Sequence, residues 1–592
     1  MTISLQSWEI VDLPLHRLLA FGRKIEKSSC PRNARIAVLG DAATQHYCQA
    51  LSAVLKLRGV WPEIYEAEFD MIRQEILDAN SGLYGSGSDF VVLFTSVQAL
   101  HSRFVGYGRK EEFAGDFLSE LTQLWAAFRT RSNAVIVQHN FALPCDRPYG
   151  NQTLLQSKTF MGTVCRINTG LIEAAERNGI RIIDTEFQSA FYGKRQWFDE
   201  RLWCQARQAL APTFLPSLLK SVSDTLLVEL GSAVKCIIVD LDNTMWGGIL
   251  GDDGADGIEI GQTEMGLVFL RFQQALAELK ARGVLLAIQS KNKRGDVLNV
   301  LDFHPDMVLR SKDFVEIVAN HEDKVTGILA IQKKLNLGLD SFVFLDDSAF
   351  ERTMVREALP EVMVPELSED PAGVLSDLAR WGPFEGRAAT AEDISRLDLY
   401  KANEARDELR ASYGGVDEYL AGLNMKAEIR FLDSYTLPRV LQLVQRSSQF
   451  NLSTIRYSES ELTAIAQESE NTILAIRLED RLGDNGIIAV LILQKRGLDL
   501  LIDTWIMSCR VLARRVEEFT FDLIVNRARE MGCNRLLGKF VATAKNGLVA
   551  DLYPRLGFEL LEKDGMEKVF SFAVENYVAL PNSIRPLQPQ QV

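Results

Sequence analysis

With 592 residues, 47% of them hydrophobic and 24% charged, the chain exceeds the ~300 residues that one hydrophobic core holds, so several domains are expected. Its formal net charge of −14 argues against a protein that binds nucleic acid or an anionic membrane with its whole surface. The eight cysteines are scattered without metal-ligand spacing, and no run reaches the ~18 apolar residues of a membrane span, so we expect a reduced, cytoplasmic protein.

The first predicted domain, residues 1–225, alternates strands with helices, which predicts a parallel, doubly wound sheet. Its first strand, RIAVLG, ends in a Gly-Asp pair, and this start resembles that of the SGNH/GDSL hydrolases, whose nucleophile is the serine after that pair. Here the position is Ala42, and a methyl group cannot replace a nucleophilic hydroxyl. The late Asp-x-x-His of that family is also missing, because Asp199 is followed three residues on by Leu202. We therefore predict a non-catalytic, SGNH-like domain.

The stretch KCIIVDLDNTMWGG opens the central domain, predicted at residues 226–390. Its apolar run is typical of a buried strand, and it delivers Asp240 and Asp242 to a turn at the carboxyl end, where open α/β sheets place their chemistry. Two carboxylates this close together need a cation. The pair therefore indicates a hard divalent metal.

Further polar groups follow at the ends of later elements of the central domain. Ser290 ends the strand VLLAIQS, Lys324 opens a helix, and Asp346 with Asp347 follows the strand FVFL. A hydroxyl and a lysine at the ends of such elements are suited to bind phosphate oxygens. About fifty residues separate Asp240 from Ser290, and fewer separate Ser290 from Lys324. Neither gap holds a sizeable cap domain, so the site is expected to be open.

This series of motifs resembles the haloacid dehalogenase (HAD) phosphotransferase superfamily. The resemblance implies that Asp240 is the nucleophile that accepts the phosphoryl group and that Asp242 is the acid/base, with its backbone carbonyl on Mg²⁺. It also implies that Ser290 holds the phosphoryl oxygens and that Lys324 neutralises nucleophile and phosphate. The metal ligands that it implies are Asp240, Asp242, Asp346 and Asp347.

The motifs DLDNTMWGG, SKN, DK and FLDDSAFER together resemble the FkbH-like branch of that superfamily, subfamily IIIC. The resemblance implies an enzyme that takes a small acyl phosphate, 1,3-bisphosphoglycerate, removes phosphate, and places the glyceryl unit as a thioester on an acyl carrier protein in polyketide or related biosynthesis. One departure is Gln289, where many members carry cysteine, so transfer through a protein thioester stays open. A simple phosphatase acting on a metabolite or phosphoprotein, and a non-catalytic protein that recruits a synthase, are the alternatives.

The rear domain, predicted at residues 391–578, shows three strands in meander order followed by a long helix and resembles a GNAT acyltransferase, an α+β fold. In that fold a helix start binds a pantetheine pyrophosphate. The candidate cofactor-binding residues are Arg510, Arg514, Arg515 and Asn546. We expect a phosphopantetheine arm or an acidic carrier protein to dock there, and no nucleic acid or membrane partner. The Pro- and Gln-rich tail, residues 579–592, is predicted to be disordered.

Overall fold

The computed structural model describes residues 6–154, 158–262, 264–386, 394–446, 449–457, 459–508, 511–543 and 546–587. The described residues form three β-sheets, and contacts between residues divide the chain into two compact units. The first unit comprises Met1–Glu229 and Met363–Gly386, and the second Leu230–Val362 and Arg387–Val592. Within the described ranges, no helix is long and apolar enough to cross a membrane.

The sheet of the first unit has five parallel strands in the order β2-β1-β3-β4-β5. Its strands are β1 (Arg32–Gly40), β2 (Val60–Glu66), β3 (Phe90–Phe94), β4 (Val135–His139) and β5 (Arg181–Ile183). The helices that connect and cover them are α1 (Leu15–Arg23), α2 (Gln45–Leu57), α3 (Ile72–Leu77), α4 (Gly82–Gly85), α5 (Val97–Gly106), α6 (Phe113–Arg129), α7 (Phe160–Asn178), α8 (Thr185–Tyr192), α9 (Lys194–Trp197), α10 (Glu200–Ala206) and α11 (Leu215–Glu229). The predicted parallel, doubly wound sheet is confirmed.

Strand β2 was not predicted from the sequence, because Pro62 lies inside it. Proline has no N–H to donate to a neighbouring strand, and a strand that contains it is confined to a sheet edge. β2 is an edge strand here, paired with β1 alone among the described strands, so the edge position accounts for the residue.

The second unit begins with a four-stranded parallel sheet in the order β8-β7-β6-β9. Its strands are β6 (Cys236–Val239), β7 (Leu285–Ser290), β8 (Glu316–Ala319) and β9 (Phe342–Leu345). Its helices are α12 (Leu250–Asp253), α13 (Gly266–Ala281), α14 (Arg294–Phe303), α15 (Lys324–Leu335) and α16 (Ala349–Ala358). Strands β6 and β9 are fully buried along their length, as continuous apolar runs between two helical layers require.

Helix α17 (Val374–Trp381) returns to the first unit, although the predicted central domain runs to residue 390. The Trp381 ring lies 5.5 Å from that of Trp8, and Lys220 Nζ donates to the Trp381 carbonyl. Val364 N donates to Gln6 Oε1 at 3.4 Å. These contacts explain why residues 363–386 cluster with the front of the chain. The domain boundaries at 225 and 390 stay a prediction.

The rest of the second unit is built on a sheet of eight strands in the order β15-β16-β14-β13-β12-β11-β10-β17. Its strands are β10 (Lys426–Phe431), β11 (Asn471–Asp480), β12 (Gly483–Arg496), β13 (Asp499–Met507), β14 (Arg535–Val541), β15 (Glu559–Asp564), β16 (Glu567–Ala573) and β17 (Arg585–Leu587). Its helices are α18 (Arg396–Ala411), α19 (Val416–Gly422), α20 (Leu437–Arg446), α21 (Glu459–Gln467), α22 (Val516–Glu530) and α23 (Leu552–Arg555).

Strands β11, β12 and β13 pair antiparallel in sequence order, which confirms the predicted meander. Among the described strands of this sheet, only the pairs β13–β14 and β10–β17 are parallel. Both faces of the sheet are covered by buried apolar clusters. The α/β fold class with a mixed α+β sheet at the rear is therefore as predicted.

Short 3₁₀ helices connect several of these elements. They are Ser7–Asp12, Lys27–Ser29, Gly150–Thr153, Pro212–Phe214, Ser311–Asp313, Leu339–Ser341, Pro371–Gly373, Gly547–Val549 and Val574–Asn576.

The predicted disorder of the tail is wrong for residues 579–587. Strand β17 pairs with β10, and Arg585 N donates to the Met425 carbonyl at 3.0 Å. Ile584 is 6% exposed, and Asn582 Nδ2 donates to Asp522 Oδ2 at 3.1 Å. An edge strand offers unpaired backbone groups, and a short Pro-containing segment can satisfy them. Residues 588–592 lie outside the described ranges.

Candidate active site

The carboxyl ends of three adjacent strands bring the predicted catalytic groups together. Asp240 follows β6 directly, Ser290 is the last residue of β7, and Asp346 follows β9. β6 pairs with β7 on one side and with β9 on the other, with Val239 opposite Ile288 and Leu345. The parallel register thus sets the three side chains at one edge of the sheet.

Lys324 reaches this edge from the first turn of α15, where Asp323 caps the helix by accepting from Thr326 N at 2.9 Å. Lys324 is 2% exposed, and its Nζ lies 2.5 Å from Asp240 Oδ1. The same nitrogen donates to the Gln289 carbonyl at 2.8 Å and lies 3.2 Å from Asp346 Oδ2. The ammonium therefore holds the proposed nucleophile and one proposed metal ligand at once.

The ionisation of these groups is set by burial and by their mutual charges. Burial raises the pKa of Asp240 to about 7, against the lowering effect of Lys324. Burial disfavours the charged form of Lys324, but Asp240 and Asp346 together raise its pKa above the ordinary value. Burial and the charge of Asp346 also raise the pKa of Asp347. Three carboxylates and one ammonium leave this centre with an excess of negative charge.

A divalent cation fits that excess. Carboxylate oxygens of Asp240, Asp346 and Asp347 lie within 4.8 Å of one another. Asp346 is fully buried, and its Oδ1 accepts from Ser348 N at 2.9 Å. Among the described residues, its Oδ2 receives no well-aligned hydrogen bond, and Lys324 Nζ lies 3.2 Å from it. An all-carboxylate donor set with a spare buried oxygen is suited to Mg²⁺.

The Asp242 carboxylate is not part of that cluster, although the sequence places Asp242 among the metal ligands. Its Oδ1 accepts from Trp246 Nε1 and from Leu250 N, both at 3.1 Å. Its Oδ2 accepts from Asn292 Nδ2 at 2.8 Å. The side chain is thereby fixed by three donors, which leaves its backbone carbonyl as the atom for the predicted metal role.

Asn292 is a site residue that the sequence analysis quoted in the SKN motif without giving it a role. Its amide nitrogen Nδ2 lies 3.2 Å from Ser290 Oγ as well as 2.8 Å from Asp242 Oδ2. Its backbone N donates to Ser290 Oγ at 3.3 Å. One side chain therefore links the predicted acid/base to the predicted phosphate-binding hydroxyl. Its position two residues after Ser290 was the available signal.

Arg352 is a second residue that sequence reasoning missed. It is 3% exposed on α16, and its Nη1 donates to the backbone carbonyls of Asp346 and Asp347 at 2.8 and 2.7 Å. Thr244 Oγ1 accepts from Asp347 N at 3.2 Å. The backbone of the acidic pair is thus held from both sides. The DDSAFER motif placed Arg352 one and a half turns after the acids, which is within reach of them.

The chain between β6 and β7 contains only α12 and α13 as helices in the described residues, which confirms that the fold is capless. Trp246 lies in this connection but is fully buried, with its indole N–H on Asp242. It therefore orients the carboxylate and does not form an exposed pocket floor. Asn243 has a φ of 52°, and its Oδ1 accepts from Gly248 N at 3.0 Å, which shapes the turn.

No thiol of the central domain lies at this edge. Its one cysteine in the sequence, Cys236, begins β6 at the opposite end from Asp240 and is fully buried. Burial raises the pKa of this thiol, which keeps it protonated and unreactive.

The candidate cofactor-binding residues of the rear domain are not gathered into a free site. Arg514 is 6% exposed, and its guanidinium bonds Asn403 Oδ1 at 2.7 Å and lies 3.4 Å from Asp480 Oδ2. Asp480 also accepts two hydrogen bonds from Arg406, from Nε at 2.9 Å and from Nη2 at 2.8 Å. Arg515 pairs with Asp417 at 2.5 Å. These internal contacts occupy groups that were expected to bind phosphate.

Asn546 is also engaged internally. It is fully buried, and its Nδ2 donates to the carbonyls of Asn451 and Val541 at 3.0 and 2.9 Å. Its Oδ1 accepts from Thr543 N at 2.8 Å. Arg510, the remaining candidate, lies outside the described residues.

Comparison with known proteins identifies relatives of the front and central parts. The profile that describes the FkbH N-terminal domain matches residues 35–227. The N-terminal part of the protein BF1531 from Bacteroides fragilis, which contains a phosphatase domain and was crystallised with Mg, is 31% identical. That similarity covers 63% of this chain and 99% of that one, with a TM-score of 0.60. No curated protein sequence matches the chain.

Two solved acetyltransferase structures resemble a smaller part of the chain. The GNAT domain of PAT from S. lividans is 13% identical, covering 24% of this chain and 89% of that one, with a TM-score of 0.21. The ribosomal-protein-S18-alanine N-acetyltransferase from Escherichia coli is 16% identical, covering 26% and 99%, with a TM-score of 0.20.

Proposed function

The chain belongs to the FkbH family of HAD-type phosphatases, and from that membership we propose that it handles an acyl phosphate such as 1,3-bisphosphoglycerate and transfers the glyceryl-type acyl group to the phosphopantetheine thiol of an acyl carrier protein. It is an enzyme of the phosphatase type with Mg²⁺ as its cofactor. The carrier, the polyketide or related pathway and a cytoplasmic location are parts of the proposal.

The observation that carries the proposal is the 2.5 Å contact between Asp240 Oδ1 and Lys324 Nζ, beside two further acids at one sheet edge. This contact aims a carboxylate and a cation at one point, which in-line phosphoryl transfer requires. Bound Mg²⁺, held by Asp240, Asp346, Asp347 and the Asp242 carbonyl, would neutralise charge on the phosphoryl oxygens.

In the phosphatase reaction the carboxylate of Asp240 attacks phosphorus, and the bond between phosphorus and the acyl oxygen breaks. Lys324 and the Ser290 hydroxyl bind the phosphoryl oxygens during this step. The acyl group leaves as a carboxylate, which carries both electrons of the broken bond and needs no proton. Water then attacks the aspartyl phosphate, Asp242 takes the water's proton, and inorganic phosphate is released.

Acyl transfer to a thiol needs a different bond to break. The carrier's sulfur attacks the acyl carbon, the carbon–oxygen bond breaks, and phosphate departs with both electrons of that bond. Lys324 and Ser290 would hold the departing phosphate, and Asp242 would take the thiol proton. Because Cys236 is distant and buried, the sulfur comes from the carrier and not from this centre. The open, capless edge leaves room for a tethered arm.

Oxygen labelling distinguishes these routes. The enzyme is incubated in ¹⁸O-water with Mg²⁺, 1,3-bisphosphoglycerate and a holo carrier protein, and both products are weighed by mass spectrometry. Transfer predicts an acylated carrier and phosphate without solvent ¹⁸O. Unmodified carrier with ¹⁸O in the phosphate would contradict transfer and would establish the simple phosphatase instead.

Two controls assign either result to the proposed centre. Asp240→Asn should abolish turnover by either route: an amide cannot attack phosphorus in the phosphatase reaction, and in both reactions it lacks the charge that helps to hold Mg²⁺. Apo carrier protein, which lacks the pantetheine thiol, should remain unmodified. Turnover that survives Asp240→Asn would show that the reaction occurs elsewhere.

The phosphatase alternative is supported by one specific residue. Gln289, at the position where the family resemblance implies cysteine in many members, is fully buried and offers no nucleophile. The non-catalytic recruiting role has less support, because the acids, Lys324 and Ser290 are all in place at one edge.

A further inference from the structure

Strands β13 and β14 separate partway along their length. They pair in parallel only from Asp499 to Ile502 and from Arg535 to Gly538. Each strand continues beyond that point, to Met507 and to Val541. Parallel strands that diverge leave unpaired N–H and C=O groups on facing edges. An extended chain with amide groups can add itself to such edges.

The segment Phe450–Leu452, here called the inserted segment, fills this gap and bonds both strands. On the β13 side, Met507 N donates to the Phe450 carbonyl at 3.2 Å and Leu452 N donates to the Trp505 carbonyl at 3.3 Å. Asn451 and Ile506 form an antiparallel bridge. On the β14 side, Val541 N donates to the Leu452 carbonyl at 2.8 Å.

The inserted segment is also part of the hydrophobic core. Phe450, Asn451 and Leu452 are 2%, 1% and 1% exposed. Phe450 and Leu452 belong to the main apolar cluster of the rear sheet, and the Phe450 ring lies 6.3 Å from that of Trp505. Removing the segment would expose apolar side chains as well as backbone groups. Both apolar burial and backbone hydrogen bonds therefore stabilise its insertion.

Asn546 fastens the inserted segment to the end of β14. Its Nδ2 donates to the Asn451 carbonyl and to the Val541 carbonyl, one on each side of the junction. Its Oδ1 accepts from Thr543 N, which fixes the amide's orientation. Three hydrogen bonds from one buried side chain thereby join the inserted segment, β14 and the loop after it.

The basic groups near the start of α22 are likewise engaged within the chain. Arg514 and Arg406 share Asp480, and Arg515 pairs with Asp417. The Arg515–Asp417 pair is solvent-exposed, but a pantetheine phosphate that bound Arg514 would have to displace Asp480 or Asn403. The buried pair would then lose a desolvated ion contact, which is costly.

We infer that the inserted segment closes the gap between β13 and β14 to acyl-CoA and to a free pantetheine arm, with Asn546 as the residue that holds it in place. The rear domain then keeps an acyltransferase-like sheet without the cleft that an extended amide ligand needs. This inference is independent of the reaction proposed at Asp240.

Hydrogen exchange and ligand titration on the full chain test the closure. We expect slow exchange at the amides of Leu452, Met507 and Val541, and no heat or change in exchange when acetyl-CoA is added to millimolar concentration. Saturable acetyl-CoA binding accompanied by altered exchange at Met507 or Val541 would overturn it. Fast exchange at those amides in the free protein would do so too.

Asn546→Asp tests the anchor while preserving its shape. The variant keeps the oxygen that accepts from Thr543 N but loses both donated hydrogen bonds. Exchange at Leu452 and Val541 should accelerate about tenfold or more, the equivalent of one lost buried bond. The amides of Leu501 and Ile502, which belong to the paired part of β13, should be unaffected.

Asn471→Asp is the matched control, because Asn471 Nδ2 bonds Glu468 in an exposed position. Unchanged exchange at Leu452 and Val541 in Asn546→Asp would refute the anchoring role. If that variant fails to fold, Asn546→Gln, which retains the amide but moves it by one methylene, provides the same comparison.

Discussion

At the level of single residues, Asp240 couples proton binding to metal binding. Burial raises the pKa of this carboxyl to about 7, and Mg²⁺ binds the ionised form. Protons and Mg²⁺ therefore compete below neutral pH. We expect the Mg²⁺ dissociation constant to rise about tenfold per pH unit below about pH 7 and to level off above it. Calorimetric titration of the metal-free protein between about pH 6 and pH 8 measures this.

Asp240→Asn is the control for that titration. Its Mg²⁺ affinity should be lower at every pH. The remaining change of the Mg²⁺ dissociation constant with pH should be the part that Asp347 contributes, because the pKa of that group is also raised. A Mg²⁺ affinity that does not change with pH in the parent protein would contradict the coupling.

Arg352 positions the backbone of Asp346 and Asp347 through two carbonyl contacts. Arg352→Met removes both donors that orient the acidic pair, so we expect about tenfold weaker Mg²⁺ binding, as for other residues that orient metal ligands. Calorimetry on the metal-free protein provides a readout separate from activity. Arg356→Met, one turn later on the same helix, should bind Mg²⁺ normally.

Because Arg352 is buried, a second variant guards against loss of fold. Arg352→Lys keeps the charge but cannot reach two carbonyls in the same geometry. An intermediate Mg²⁺ affinity with an unchanged melting temperature would support the positioning role. Parent-like affinity in both variants would exclude it.

Among the secondary-structure elements, α15 is the one whose placement the chemistry depends on, because it carries Lys324. It packs on β7 through Gly327, where an added Cβ would lie 2.4 Å from Gln289 Nε2 and 2.5 Å from its Cγ. Gly327→Ala should destabilise the protein by about 1–3 kcal/mol and lower kcat by moving the first turn of the helix. Thermal unfolding and phosphate-release assays measure the two effects.

The double variant Gln289→Ala with Gly327→Ala tests the same contact by removing the side chain with which the added Cβ would clash. The Gln289 amide is buried without a hydrogen-bond partner among the described residues, so its removal costs little and opens the needed space. Recovery of both stability and kcat is expected. A double variant as impaired as Gly327→Ala would show that the helix position is set elsewhere.

Sequence patterns predicted the elements with strong apolar runs and missed those defined by their neighbours. The predicted site residues Asp240, Ser290 and Asp346 stand at the carboxyl ends of buried strands, so their convergence could be foreseen from the order and parallel direction of those strands. Strand β2 contains a proline and β17 lies in a polar tail, and each exists because an adjacent strand offers an open edge. Pairing of this kind cannot be deduced from local composition.

The orientation of side chains was less predictable than their position along the chain. Arg514 and Asn546 occur where a ligand-binding role was expected, but both point into the protein and bond Asn403 and Asn451. Trp246 likewise turns inward to Asp242. Whether one particular side chain faces the solvent or the interior depends on tertiary packing. The periodicity of a single sequence does not reveal it.

At the scale of the whole molecule, two titratable groups of the first unit, His139 and Asp41, affect the pH dependence of stability in opposite directions. His139 bonds Tyr47 and Thr185 at 2.8 and 2.9 Å, and burial lowers its pKa to about 3. The stability it contributes is present above its unfolded pKa of about 6.5 and is lost as pH falls toward 3. Burial raises the pKa of Asp41 to about 7, so its contribution is present at low pH and is lost as pH rises from about 4 to 7.

Between about pH 4 and pH 6.5 the two contributions therefore oppose each other. Asp41→Asn removes the opposing contribution and leaves only that of His139. The free energy of unfolding should therefore rise with pH by up to about 1.4 kcal/mol per unit. His139→Gln should produce the reverse slope. Urea unfolding of each full-length variant, taken as a difference from the parent at the same pH, measures both slopes. Parallel pH profiles in the two variants would refute the assignment.

Ala42, buried at 1% exposure beside Asp41, bears on the predicted lack of hydrolase chemistry in the front domain. A serine at this position would find no histidine where hydrolases of that type carry one, because Leu202 N instead donates to Asp199 as part of a helix cap. His139, at the end of β4, is already bonded on both ring nitrogens. A hydrolytic Ser–His pair at Ala42 would therefore need at least two substitutions, and neither alone would supply the pair.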